Sequence, residues 1–385
     1  MTPPAACALT AALLLAGCGS GMGASGSGGD GSGGGAGTTG SGGAAVGGGG
    51  HGGMGGDPGS CVPGSGEPGG PWTIGLEGRL DLTSTAFWGS AGETDIVFES
   101  FDAAFSQSAL FRVVVSESGV FSTPEPLPLA SATFVSTPSA VRLGATSFLY
   151  FTVASQLGGG LEIRRCRYAA GACDALESVG PIPGTYGLQS FPRFSAHPSG
   201  RVLVAFHDPN GRPSFARSED GLVFSTPVPL DAAPRALAHT AAFADGTIAF
   251  AHQTGAVPQL TRVLLSSDLG ATWTPPILVT DASMNVHDND MLLRLDGDLD
   301  VAYIYPAESF GFSVFRRALG SDGSLGPEER LSFAAAGDAT KPSASRLPDC
   351  RVLLTYAEIT ARDVNGNPTA QRLGAQILSG DAPRD

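Results

Sequence analysis

The stretch SSDLGATWTPP, Ser266 to Pro276, decides how the rest of this sequence is interpreted. It sets a serine, an aspartate and a glycine at alternate positions, followed by a threonine and a tryptophan. Degenerate copies stand at SEDGLVF from Ser218 and at SESGVF from Ser116. Recurrence of one short motif indicates a repeated structural unit that includes the flanking sequence.

Short apolar runs around these motifs can be aligned with one another. RVLVAFHD, GTIAFAHQ, DLDVAYIY and RVLLTYAE each follow a turn and each end in an aromatic residue followed by polar residues. LGATSFLYFT and GETDIVFES fit the same position less well. From Trp72 onward helical periodicity is almost absent, and Gly, Pro and Asp bound the runs, which is typical of strands. The unit recurs about every 50 residues, within the range of propeller blades.

Six units can be counted, with starts near Leu80, Ala132, Gly187, Leu237, Val286 and Ala339. We therefore predict an all-β fold, a six-bladed β-propeller at 71–380, with a disordered tail at 381–385. An array of β-sandwiches is the alternative, but the repeats abut without linkers and carry no separate cores. Because the last unit has three strands, we expect Trp72–Leu82 to supply its outermost strand and remove an open edge.

The Ser266 motif resembles the Asp-box, or BNR repeat, of the sialidase (neuraminidase) superfamily. The resemblance places the motif in the turn between the third and fourth strands of a blade, on the face opposite the active site. It implies a structural role for the motif residues Ser266, Asp268, Gly270, Thr272 and Trp273. The serine and aspartate would bond turn backbone groups, the glycine would take a conformation that a Cβ resists, and the tryptophan would pack beneath.

The N-terminus predicts export and lipidation. Ala5–Ala16 is an apolar run too short to span a bilayer, so residues 1–17 are interpreted as a signal peptide, although no basic residue precedes the run. The stretch LAGC ending at Cys18 resembles a bacterial lipobox, which implies acylation of Cys18 and a membrane partner through the lipid anchor. An ordinary secretory signal is the alternative. Gly19, where an Asp would favour retention at the inner membrane, points to the outer membrane or cell surface.

Composition excludes several other classes of function. Residues 18–70 are rich in Gly and Ser and are expected to form a disordered tether, because they lack apolar side chains to bury. Acidic residues outnumber basic ones, 36 against 22, and the net charge is −14. Nucleic-acid phosphates require a basic face, so we expect no nucleic-acid partner. We also expect a monomer that uses no cofactor.

Polar residues gather at strand ends that share one face of a propeller, beside its axis. The ends of second strands supply His207, Asp208, His252, Gln253, Tyr305 and Glu358. The starts of first strands supply Arg193, His239, His287, Asp288, Asp290 and Lys341. Scatter over loops is the alternative, since polar strand ends are common. We predict a binding face for a glycan or protein ligand, formed by Arg193, His207, Asp208, His239, His252, Asp288 and Lys341.

The resemblance raises the alternative of an exo-sialidase or another glycoside-cleaving enzyme with an atypical site. Sialidases use an arginine cluster, an Asp acid/base and a Tyr nucleophile paired with Glu. Tyr305, Glu358 and Asp290 are the candidates for catalytic roles. The expected Phe-Arg-Ile-Pro motif is missing, with only FPRF at 191–194 as an echo, and three suitably placed arginines are not found. The sequence therefore favours binding over catalysis.

The sequence also contains residues that could bind a metal ion or form disulfides. Asp296-x-Asp298-x-Asp300 copies the start of a calcium loop, but Val301 replaces the required Gly, so an acidic turn is expected instead. The histidines follow no ligand spacing, and we predict no metal. In an exported protein, disulfides are expected for two cysteine pairs, with free thiols as the alternative: Cys166 with Cys173, and Cys61 with Cys350.

Overall fold

The computed structural model describes residues 61–380, apart from 63–66, 89–91, 130–132, 157–159, 186–189, 232–236, 255–257, 282–285, 307–311, 332–337, 363 and 365–367. The predicted signal peptide, Cys18, most of the tether and the tail at 381–385 lie outside this part of the chain. Within it, all regular elements are strands, and no helix is long and apolar enough to cross a membrane. The predicted all-β class is confirmed.

In chain order the strands are β1 Gly69–Thr73, β2 Arg79–Trp88, β3 Thr94–Asp102, β4 Ser108–Val115, β5 Glu125–Pro126, β6 Phe134–Leu143, β7 Thr146–Ala154, β8 Glu162–Ala169, β9 Ala172–Ser178, β10 Arg193–Ala196, β11 Val202–His207, β12 Pro213–Ser218, β13 Val228–Pro229, β14 Ala238–Ala242, β15 Ile248–Gln253, β16 Thr261–Ser266, β17 Ile277–Leu278, β18 His287–Leu293, β19 Leu299–Pro306, β20 Phe312–Leu319, β21 Leu325–Arg330, β22 Asp338–Arg346, β23 Val352–Arg362 and β24 Pro368–Leu378.

These strands form four four-stranded sheets and one eight-stranded sheet. Strands β6–β9, β10–β13, β14–β17 and β18–β21 are antiparallel meanders in chain order. The eight-stranded sheet contains two antiparallel groups, β22–β23–β24 with β1, and β2–β3–β4–β5. A single parallel pairing, Leu80 with Gln371, joins the two groups. The repeat found in the sequence therefore corresponds to a repeated meander.

Strand β1 forms the outer edge of the last group, as predicted, but it is shorter than expected. Trp72 pairs with Ala375 of β24, and β1 ends at Thr73. The chain then turns at Gly78, which has a φ of 71°, and residues from Arg79 onward belong to β2. The predicted single strand Trp72–Leu82 is therefore wrong in its bounds, because a glycine turn separates two strands of different groups.

The hydrophobic core lies between neighbouring sheets. Strand β11 is buried along its whole length, which is expected where a sheet is covered on both faces. One cluster packs Val263 and Leu265 of one sheet against Tyr303 and Phe315 of the next. Sequentially adjacent sheets thus pack face to face.

Hydrogen bonds and one ion pair link the first strands of successive groups. In each link, a side chain of one first strand bonds to the next: Thr85 to Ala140, Ser139 to Phe194, Ser195 to Thr240, His239 to Asp290, Asp290 to Ala344, and Arg346 (through its carbonyl) to Trp88. The links run from β2 through β6, β10, β14, β18 and β22, and the last returns to β2. The six first strands therefore follow one another in cyclic order.

The stretch that opened the sequence analysis forms the turn between β16 and β17, the third and fourth strands of their sheet. The Ser266 hydroxyl accepts a bond from the Gly270 amide at 2.8 Å and donates to Asp268. Asp268 accepts from both the amide and the hydroxyl of Thr272, which lower the pKa of the carboxyl to about 2. Trp273 packs edge-on against a ring of the preceding sheet. The motif residues therefore hold the turn.

Three turns that carry the motif or its copies accept hydrogen bonds from arginines of the preceding group. Arg165 donates to the Asp220 carbonyl, and Arg217 donates to the Leu269 carbonyl. Arg351 donates to the Glu117 carbonyl. Each arginine crosses from one group of strands to the next. The turns thus fix neighbouring sheets to each other as well as closing their own hairpins.

Two disulfides pair the four cysteines of the described region. Cys166 on β8 bonds Cys173 on β9, across their hairpin. Cys61 bonds Cys350, which lies in the turn between β22 and β23, over a sequence separation of 289 residues. Around the second disulfide, the Val62 amide donates to the Pro348 carbonyl at 3.0 Å. The segment leading into β1 is therefore fastened to the last group.

Candidate functional site

One pocket is formed by all six first strands. Its lining combines hydroxyl side chains with a few charged groups, and consists of Thr83, Ser84, Thr85, Pro138, Ser139, Ala140, Arg193, Phe194, His239, Thr240, Asp290, Met291, Lys341, Pro342 and Ser343. Four residues predicted as binding or catalytic candidates meet here: Arg193, His239, Asp290 and Lys341. We call this pocket the axial pocket.

Strained backbone surrounds the axial pocket. Thr137, Asp288 and Lys341 have φ values of 51°, 48° and 49°, and each lies at a register shift in its first strand. Positive φ is an outlier for a β-branched residue such as Thr137. The amide of Thr137 donates to Glu99 at 2.7 Å, and the amide of Lys341 donates to Asp288 at 3.1 Å. Such bulges redirect side chains and cluster at functional sites.

Arg193 is enclosed by negative charge. Its guanidinium donates to the Pro138 carbonyl at 3.4 Å. Burial lowers the pKa of Arg193, while the carboxylates of Glu99, Asp290 and Asp288 act in the opposite direction. The charge of Arg193 therefore offsets part of the negative charge of these carboxylates.

His239 and Asp290 form a close pair in the axial pocket. Nδ1 of His239 lies 3.0 Å from Oδ1 of Asp290, whose relative exposure is 1%. The other oxygen, Oδ2, accepts the Ala344 amide at 2.9 Å. Both carboxylate oxygens are thus engaged, and the aspartate fixes the orientation of the imidazole.

Lys341 is the only lysine in the sequence. Its Nζ lies 3.9 Å from Oδ1 of Asp288 and 5.9 Å from the ring centroid of Phe191. Asp288 itself is not among the lining residues, but it borders the axial pocket through this ion pair. Lys341 is the pocket side chain best suited to chemical labelling, because no other lysine competes.

His207 and His252, predicted to bind ligand, do not line the axial pocket. Burial lowers the pKa of His207 to about 4, and its Nε2 has no hydrogen-bond partner among the described residues. His252 is fully buried, with Nε2 3.6 Å from Oδ2 of Asp231, and burial lowers its pKa as well. Both imidazoles are therefore neutral at pH 7 and lie in the protein interior.

Asp208 is also outside the lining, because it closes its own turn. Its Oδ1 accepts the amides of Asn210 and Arg212, and its Oδ2 accepts the Arg212 side chain at 2.7 Å. These bonds, most strongly that from the Arg212 side chain, outweigh burial and lower the pKa of Asp208. The carboxylate is committed to the turn between β11 and β12.

Tyr305 and Glu358 are not brought together, and neither lines the axial pocket. The Tyr305 hydroxyl donates to Glu328 at 2.8 Å, and its ring stacks on Phe315 with centroids 3.9 Å apart. Glu358 accepts from Thr73 instead, and burial raises its pKa. Tyr305 and Glu358, suggested from the sequence as nucleophile and partner, therefore have different hydrogen-bond partners here. Tyr305 shares a strand face with Tyr303, and both side chains belong to the hydrophobic cluster packed against the preceding sheet.

Glu99 and the hydroxyl groups of the pocket lining were not among the residues predicted from the sequence. Glu99 follows Phe98 in GETDIVFES, the position of polar strand ends in the aligned units. A second signal was the recurrence of proline near or within three first strands, in TPSA from Thr137, FPRF from Phe191 and KPSA from Lys341. Aligning these prolines would have identified the starts of three first strands.

The acidic turn carries no calcium-type arrangement. Asp296 and Asp300 are paired with Arg294, and Asp300 also bonds Arg316. Across the part of the chain that the structure describes, no group of three or more His, Cys, Asp or Glu side chains is placed to hold a metal ion.

Comparisons with known proteins support the fold. No protein-family model and no curated protein matches the sequence. Among solved structures, a Dyadobacter fermentans protein of unknown function aligns with a TM-score of 0.63 at 17% identity, covering 81% of this chain and 100% of that one. The Streptococcus pneumoniae NanB sialidase gives 0.58 at 11% identity, covering 81% and 70%. A leech intramolecular trans-sialidase gives 0.58 at 13%, with the same coverages. The chain therefore has a sialidase-like fold.

Proposed function

We propose that this protein is a surface-exposed lipoprotein whose domain is a six-bladed β-propeller, and that its axial pocket binds a glycan. The cyclic order of six linked first strands supports six blades. The bonds within the Ser266 turn support its assignment as an Asp-box. Strained bulges concentrated around one pocket support a binding role for that pocket, because such strain persists where function requires it.

The charge balance of the pocket carries the proposal and narrows the ligand. Two cations, Arg193 and Lys341, face three carboxylates, Glu99, Asp288 and Asp290. A carboxylated sugar would meet net negative charge, whereas hydroxyl groups can exchange bonds with the Ser and Thr side chains of the lining. We therefore infer a neutral, polyhydroxylated ligand, such as an unsialylated oligosaccharide segment.

Sialidase activity, the alternative, finds less support. It requires several arginines around the substrate carboxylate, and Arg193 is the single arginine among the described lining residues. The Tyr–Glu pair proposed from the sequence also lies away from the pocket. Cleavage of a neutral glycoside remains the second candidate, because Asp290 is a buried carboxylate within the lining.

A glycan array followed by calorimetry would test the ligand class. We expect retention of neutral oligosaccharides and no gain from terminal sialic acid. Lys341→Gln should weaken binding about tenfold, since a hydrogen bond to a charged group contributes about 1.5–3 kcal/mol. Tight binding of sialylated glycans alone would contradict the proposal.

The single lysine allows an independent test of where the ligand binds. Reductive methylation should modify Lys341, and a saturating glycan from the array should slow that modification. The free N-terminal amine of an unlipidated Cys18→Ser preparation serves as the internal control. Protection of both amines to the same degree, or of neither, would place the ligand elsewhere.

Membrane anchoring is tested separately at Cys18. Cys18→Ser should release the protein from the membrane fraction and block incorporation of labelled fatty acid. A variant that still fractionates with membranes and still takes up the label would refute the lipoprotein assignment.

A further inference from the structure

The His239–Asp290 pair is arranged as a general base with its positioning group. The aspartate holds Nδ1 at 3.0 Å, and its second oxygen is fixed by the Ala344 amide. This arrangement orients the ring and supports an imidazolium if Nε2 takes up a proton. Within the described residues, Nε2 has no bonding partner, and His239 lines the axial pocket.

A second observation concerns groups that could stabilise negative charge on a bound substrate. The Thr83 hydroxyl is buried, lines the same pocket and has no hydrogen-bond partner among the described residues. Arg193 also lines the pocket and bonds only weakly to a backbone carbonyl. A hydroxyl donor and a guanidinium that line one pocket can stabilise an oxyanion that develops there.

We propose that the axial pocket hydrolyses acyl esters carried by its hydroxylated ligand, with His239 as the general base. This proposal rests on the proposed function, since it assumes that the pocket binds a sugar. The substrate class is an O-acylated, otherwise neutral glycan. Asp290 acts as the positioning residue.

The reaction balances without any added reactant except water. Nε2 of His239 removes a proton from water as the water oxygen forms a bond to the acyl carbon. The carbonyl oxygen becomes an oxyanion facing Thr83 and Arg193. When the intermediate collapses, the acyl C–O bond breaks, and the sugar oxygen takes the proton back from His239. The products are a carboxylic acid and a free sugar hydroxyl.

Ester hydrolysis fits the pocket better than glycoside cleavage. The latter needs one carboxylic acid that donates a proton and a second carboxylate. Here Glu99, Asp288 and Asp290 each accept a backbone amide, and Asp288 and Asp290 also face cationic or imidazole groups. All three carboxyl groups therefore act as hydrogen-bond acceptors towards the protein, and none is placed as a proton donor to a glycosidic oxygen.

The test measures acetate released from O-acetylated mono- and oligosaccharides by the full domain. His239→Gln should lower kcat at least about 100-fold with KM nearly unchanged, which is the contribution typical of general-base catalysis. Asp290→Asn should also lower kcat, because the substitution alters the group that positions His239. Tyr305→Phe serves as the control, because Tyr305 does not line the axial pocket, and it should leave kcat and KM unchanged.

The outcomes separate this proposal from the binding function. Acetate release that survives His239→Gln overturns the general-base role. If wild-type protein binds deacetylated sugars but releases no acetate from their esters, the hydrolase proposal fails and the binding function stands. If no sugar binds at all, the proposed function fails first. Circular dichroism of each variant verifies folding before either rate is interpreted.

Discussion

Removing the Cys61–Cys350 disulfide should lower the stability of the folded domain substantially. The bridge closes a loop with a sequence separation of 289 residues. In the chain-entropy model, closing such a loop lowers the entropy of the unfolded chain. This raises the free energy of the unfolded chain by about 5.7 kcal/mol at room temperature and so stabilises the folded state. This is comparable with the whole stability of many domains, about 5–15 kcal/mol.

The second disulfide supplies the matched control. Cys166 and Cys173 are 7 residues apart, for which the same relation gives about 2.4 kcal/mol. The test compares two variants by urea unfolding under non-reducing conditions. In each variant, both cysteines of one disulfide are replaced by serine. The long-loop variant should lose at least twice as much free energy of unfolding as the short-loop variant.

Two results would refute this reasoning. Equal losses in the two variants would show that loop entropy is not the source of the stabilisation. A negligible loss on removing Cys61 and Cys350, together with free thiols at both positions in peptide maps of the wild type, would show that the bridge is not formed.

Two further predictions concern single side chains. Ser266→Ala should cost about 1–3 kcal/mol in urea unfolding, because the Gly270 amide loses its acceptor, and an unchanged midpoint would contradict the turn structure. His207, with its pKa lowered from 6.5 to about 4, stays neutral when folded but takes up a proton when unfolded. Stability should fall as pH drops through 6.5 and level off below 4, with about 2 kcal/mol lost by pH 5. His207→Gln should remove that part of the pH dependence, and an identical pH dependence in the variant would exclude His207 as its cause.

The strands were predictable because their signals are local. RVLVAFHD, GTIAFAHQ, DLDVAYIY and RVLLTYAE correspond to β11, β15, β19 and β23, each the second strand of its group. A turn residue, a run of apolar side chains and a polar end suffice to define such a strand. The motif turn was likewise predictable, since its bonds join residues within a few positions of each other.

The site was predictable only in part, because its contacts join distant strands. Arg193, His239, Asp290 and Lys341 were found from strand starts, where the direction of the chain alone brings them to one end. Tyr305 does not line the pocket, and its sequence position could not show this, since a strand end does not reveal which face its side chain occupies.

Bulges explain the remaining errors at the site. A residue added to a strand reverses the face of every side chain beyond it, so alternation counted from the sequence fails past Thr137, Asp288 and Lys341. Two of these three precede proline, which ordinarily favours extended backbone. Their left-handed φ therefore runs against the local preference and is imposed by the neighbouring carboxylates Glu99 and Asp288.

Strand β22 connects the pocket to the turn that contains one cysteine of the long-range disulfide. Strand β22 begins beside Lys341 in the pocket and ends at Arg346, ahead of the turn that contains Cys350. The pocket is held by links that do not pass through this turn, among them Asp290 with Ala344. We therefore expect the variant lacking the Cys61–Cys350 bridge to be less stable but to bind the same glycan with unchanged Kd, as measured by calorimetry well below its unfolding midpoint. A Kd weakened severalfold in a fully folded sample would mean that the closure of the last group, and not the local bonds around the bulges, sets the shape of the pocket.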